Sequence, residues 1–129
     1  MDARRDGSDP LAISGFRVSA VLEIVDDEGK PAALQIALTD GSSVVCTVWT
    51  DWSLVVERRP DTEIPDYLWP MQDYSRRSIV GDIPEGGLEV VSLVISADEL
   101  GVQTGVTVEI AGYRLSARSI GGEIVLSVR

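Results

Sequence analysis

Residues 16–25, FRVSAVLEIV, decide the class of this fold. Phe16, Val18, Ala20, Leu22 and Ile24 alternate with Arg17, Ser19, Val21, Glu23 and Val25. A period of two is the signature of a half-buried strand, because successive side chains point to opposite faces. The next residues, Asp26-Asp27-Glu28-Gly29-Lys30-Pro31, are of the types that make a turn. Leu34, Ile36 and Leu38 then share one face of a second strand. Asp40-Gly41 follows and suits a two-residue hairpin turn with positive φ at both central positions. A third strand is expected from Ser43 to Trp49, and Thr50-Asp51 reads as a tight connection. Trp52, Leu54 and Val56 are expected to face one way on a fourth strand.

The pattern breaks between Arg58 and Pro84. Pro60, Pro65, Pro70 and Pro84 forbid a continuous strand or helix there, leaving room for one helical turn around Asp66 to Tyr74. Gly81 to Gly87 reads as a second loop. Strand pattern resumes in Leu88–Ser96, Val106–Ile110, Tyr113–Ser119 and Glu123–Val128, joined by Asp98-Glu99-Leu100-Gly101, Ala111-Gly112 and Gly121-Gly122.

The two halves line up. A shift of 72 positions brings Val18 onto Val90, Asp26-Asp27 onto Asp98-Glu99, Gly29 onto Gly101, and Leu34-Ile36-Leu38 onto Val106-Val108-Ile110. One gap at the hairpin then aligns Gly41 with Gly112, Val44 with Leu115, Leu54 with Val125 and Arg58 with Arg129. A four-stranded unit cannot bury its apolar face alone, so the units must pack on each other or join edge to edge. The expectation is an all-β fold of about eight antiparallel strands, a sandwich or partly open barrel of two pseudo-repeated meanders. Residues 1–10 form a loose tail, and residues 11–129 one domain. Within it 11–58 is the first half, 59–87 a connecting loop and 88–129 the second half.

Charge and composition exclude several functions. Lys+Arg 11 against Asp+Glu 21 gives a net charge of −10, the reverse of the basic footprint that nucleic-acid binding needs. An acidic surface steers basic partners toward it. There is no histidine, so Ser-His-Asp, Cys-His and His-containing zinc arrangements are excluded. Gly86-Gly87 and Gly121-Gly122 lack the strand–glycine–helix context of a phosphate loop. Cys46 is the only cysteine and reads as a small buried hydrophobe among Val44, Val45, Thr47 and Val48. No cofactor and no metal are expected, and the acids at Asp26-Asp27-Glu28-Gly29 read as a turn, lacking the alternating ligands of a calcium loop. No apolar run reaches membrane-spanning length and no signal peptide follows Arg4-Arg5, so the expected location is the cytoplasm.

All three tryptophans and two of the three tyrosines fall between Val48 and Gly87. Trp, Tyr and Arg are the residues that anchor protein interfaces. Tyr67, Trp69, Tyr74 and Trp52, with Asp61, Glu63, Asp66 and Asp73, are therefore the candidate partner-binding residues. Because residues 59–87 have no counterpart in the repeat and exceed an ordinary connection, function is sought there before the Trp49–Trp52 turn. The sequence points to a non-catalytic acidic protein-binding module, such as a toxin-immunity protein or inhibitor that neutralises a basic partner, acting as a monomer or homodimer. Two alternatives stand beside it. One is a self-associating structural or assembly protein. The other is a small hydrolase or carbohydrate binder using Asp51, Glu57, Asp61, Glu63 and Asp66 with Trp49, Trp52 and Trp69.

Overall fold

The computed structural model describes residues 11–129; the expected tail at 1–10 lies outside the described residues. Nine antiparallel strands form one sheet: β1 (Arg17–Val25), β2 (Pro31–Leu38), β3 (Ser43–Val48), β4 (Leu54–Arg59), β5 (Ser75–Ser78), β6 (Leu88–Ala97), β7 (Gln103–Ile110), β8 (Tyr113–Ile120) and β9 (Glu123–Val128). The spatial order is β4-β3-β2-β1-β6-β7-β8-β9, with β5 added to β1 off this path. Two four-stranded meanders thus join through β1 and β6. The joint is short, pairing Arg17 with Glu89 and Val18 with Leu88. Beyond it the sheet folds back on itself, so that β2 meets β9 and β4 meets β7.

That fold-back encloses the core. Val18, Val21, Leu34, Ile36, Val44, Cys46 and Leu54 come from the first half; Val90, Leu93, Val106, Val108, Leu115, Ala117 and Ile124 come from the second. Each meander contributes one apolar face and neither buries it alone.

The repeat extends to backbone irregularities. In β1 the register shifts between Val18 and Ala20 and again between Ile24 and Val25; in β6 it shifts between Val90 and Ser92 and between Ser96 and Ala97. Both pairs of bulges lie 72 residues apart. The turns after them match as well. The Asp26 carboxylate accepts from the amides of Glu28 and Lys30, and the Asp98 carboxylate from those of Leu100 and Val102. Gly29 and Gly101 take the positive φ that closes each turn, at 80° and 84°.

Three expectations need correction. The first bulge changes the parity of β1, so Val18 and Val21 both face the core while Ile24 faces outward. Simple alternation from Phe16 to Ile24 does not hold, because an extra residue in a strand flips every side chain after it. At the Asp40-Gly41 turn only Gly41 has positive φ (90°), and the turn closes one residue later, where the Leu38 amide donates to the Ser42 carbonyl. The third concerns the fourth strand. Val48 pairs with Leu54 across a five-residue turn, but Ser119 pairs with Ile124 across four residues. The offset therefore falls to 70 there. Buried Leu54 corresponds to buried Ile124, not to exposed Val125. Trp52 consequently lies in the turn, before β4 begins.

Residues 60–74 do not hang free. They cross the outer face of the first meander as a strap, and β5 then pairs Ser75–Ser78 with Leu22–Val25. The single helical turn is a 3-10 turn at Met71–Asp73. No helix among the described residues is long and apolar enough to cross a membrane.

Candidate functional site

The strap is held by polar anchors at its start and apolar ones at its end. The Ser43 hydroxyl donates to the Asp61 carbonyl (2.6 Å) and the Gln35 amide to the Glu63 carbonyl (2.9 Å). Gln35 is fully buried, and its own carbonyl accepts from Arg76 (3.1 Å), whose guanidinium also donates to the Thr62 carbonyl (2.6 Å). A buried amide of this kind must find partners on both ends. Leu68 and Tyr74 then pack on Ile24, Ala33 and Val45, an apolar patch on the outer face. In β5, Arg77 pairs with Glu23, a residue only 7% exposed. The two arginines that follow the strap are thus both engaged.

Tyr67 is tied down too. Its hydroxyl donates to Glu57, which also pairs with Arg59 at 3.3 Å, and the Arg59 guanidinium lies over the Tyr67 ring at 5.8 Å. Burial and the Glu57 carboxylate push the phenol well above its ordinary pKa. Among the described residues, Arg59 Nε is the one buried side-chain nitrogen or oxygen with no partner.

Of the eight residues singled out by sequence, four anchor the strap: Tyr67 and Tyr74 through their rings, Asp61 and Glu63 through their carbonyls. Asp66, Asp73 and Trp69 face solvent, Trp69 at 78% exposure, and a cis peptide joins it to Pro70. Trp52 belongs to a different contact. It occupies a left-handed position (φ 67°), where the matching turn has Gly41. Its ring lies on Gly122, whose added Cβ would sit 2.9 Å from Trp52 Nε1, and its carbonyl accepts from Ser119. A turn of the first half is thereby clasped to a hairpin of the second.

These pieces meet at one end of the molecule. A cleft of about 410 Å3 opens there between Asp26, Lys30, Pro31 and Ala32 of the β1–β2 turn, Val48, Leu68 of the strap, and Gly122, Glu123 and Ile124. Trp49 follows Val48, Trp69 follows Leu68, and Trp52 lies on Gly122. Each tryptophan thus adjoins a residue that lines the cleft, Trp49 and Trp69 by sequence and Trp52 by its ring, and each is more than half exposed. The partner-binding set read from the sequence includes Trp52 and Trp69, names Trp49 only for the carbohydrate-binding alternative, and omits Asp26 and Glu123. Nothing in a linear reading brings residue 123 beside residue 26.

Asp26, Lys30 and Glu123 line the cleft together with apolar residues such as Val48, Leu68 and Ile124. Among the described residues no three of His, Cys, Asp or Glu are grouped to hold a metal ion. Cys46 is buried, and burial pushes its thiol up to about 12, far from the thiolate that a nucleophile needs. No family model, curated protein or solved structure matches the chain.

Proposed function

We propose that this protein is a non-catalytic binding module that uses its exposed tryptophans, Trp49, Trp52 and Trp69, to hold a basic protein partner. An immunity protein or inhibitor against a basic enzyme or toxin has this character. The observation that carries the reading is the exposure of Trp49 and Trp52 in the β3–β4 turn and of Trp69 on a strap anchored by buried Gln35, each adjoining a residue that lines one cleft. Exposed aromatics held in place lose little freedom on binding, and they supply most of the energy at protein interfaces. The net charge of −10 supplies long-range attraction for a cationic surface.

The test is capture of partners from native lysate with the wild-type chain and with Trp69→Ala. A specific partner retained by the first and lost by the second supports the reading. Its association rate should fall steeply between low and high salt, because steering is screened. A partner indifferent to both changes would remove the proposal.

A further inference from the structure

The first meander is covered by the strap and β5, but among the described residues nothing covers its repeat-equivalent surface on the second meander. In the first half, β1 pairs with β5 along Leu22–Val25, and Ile24, Ala33 and Val45 lie under the strap. The corresponding β6 stretch is Val94–Ala97. Among the described residues it has no strand partner on the side away from β7, since β1 pairs only with Leu88 and Glu89. Ser96, Gly105 and Ser116 stand where Ile24, Ala33 and Val45 do. They line a hollow of about 430 Å3 with Thr107, Ser127, Arg114, Arg118 and Arg129.

The occupant's chemistry follows from the substitutions. Leu68 and Tyr74 sit on an apolar patch in the first half; hydroxyls and guanidinium groups replace that patch in the second. Arg114 pairs with Glu109 at 2.6 Å, while Arg118 and Arg129 have no carboxylate partner among the described residues. Three arginines on one face are a marked local reversal in a chain of net charge −10. Guanidinium groups there fit carboxylates, and the open β6 backbone fits another strand.

We infer that the outer face of the second meander is a vacant counterpart of the strap site, binding an extended acidic segment of another protein. The segment adds antiparallel to β6 along Val94–Ala97, as β5 does to β1. Its preceding residues cross the hollow with carboxylates on Arg118 and Arg129, and Gly105 leaves room for its backbone. This surface shares no lining residue with the cleft between Asp26, Leu68 and Glu123.

The experiment uses the full chain and a fluorescent eight-residue peptide of alternating valine and glutamate, read by anisotropy and by amide hydrogen exchange. Binding should slow exchange within Val94–Ala97. It should weaken at least about tenfold in Arg118→Glu/Arg129→Glu, and as much when lysine replaces glutamate in the peptide. Both arginines are exposed, and circular dichroism checks that the variant keeps its fold. Arg118→Gln, which reverses no charge, should show a smaller loss in the same direction. Binding without β6 protection, or equal binding of the lysine peptide, overturns the inference. So does a dimer whose β6 amides are already protected without peptide, which would give the site to a second copy. Inorganic phosphate that displaces the peptide while β6 stays unprotected would make it a simple anion site and overturn the inference as well.

Discussion

Gly87 shows how a single residue fixes the joint between the halves. It has φ 79°, and an added Cβ would lie 2.8 Å from the Val18 carbonyl oxygen and 2.9 Å from the Thr39 methyl. Gly41 has a similar φ (90°) with nothing within 4 Å. Gly41→Ala should therefore lose only the left-handed penalty, about 1–2 kcal/mol, whereas Gly87→Ala adds a backbone clash and should lose roughly 2–4 kcal/mol. Urea unfolding of the two variants measures the difference. Tyr67 offers a second comparison. Its folded pKa is raised, so its contribution is fully present below the unfolded value of about 10 and is lost as pH rises through the folded one. Wild-type stability should fall with alkaline pH more steeply than that of Tyr67→Phe, as chemical denaturation across that range will show. Cys46 is legible from its apolar neighbours alone. The left-handed Trp52 is not, because no local signal says that a bulky residue will occupy a glycine position when a distant hairpin receives its ring.

At the scale of elements, the strap is what distinguishes the two meanders. Its prolines are enough to reject a helix or long strand, and its length marks it as more than a connection. Its destination is hidden, since Gln35 and Ser43 look like ordinary outward polar positions on β2 and β3. Only the fold shows that they are buried and bonded to carbonyls 28 and 18 residues away. Strand β5 is hidden for a similar reason: Ser75-Arg76-Arg77-Ser78 has no apolar alternation, and it pairs by backbone and by its arginines. Gln35→Ala leaves the Glu63 carbonyl and the Arg76 guanidinium short of a partner, a change worth about 1–3 kcal/mol. The strap should loosen before the sandwich does. Trypsin should then cut at Arg76–Arg77 measurably faster in the variant, with mass spectrometry of the fragments locating the cut; unchanged cleavage would mean that Gln35 does not hold the strap.

For the whole molecule, the architecture is readable because both halves repeat the same turn spacing, and turns carry the strongest local signals. Alternation marks β7, β8 and β9 well and fails in β1 and β6, where matching bulges reverse parity. Periodicity records which face is apolar and not what covers it, so the sequence alone does not choose between a sandwich and a sheet folded back on itself. The fold makes each half the other's core: Leu93 and Leu115 pack in the same cluster as Leu34 and Leu54. All three tryptophans lie before residue 70, in the first half and the strap. Leu93→Ala removes a core side chain from the second half alone and should destabilise the protein by about 2–5 kcal/mol. If the halves fold as one unit, the tryptophan fluorescence transition must shift to lower urea by the same amount as the far-ultraviolet circular dichroism transition, although no tryptophan is near position 93 in the chain. Two separated transitions, with fluorescence unmoved, would show that the meanders fold independently and that their shared core contributes little to either.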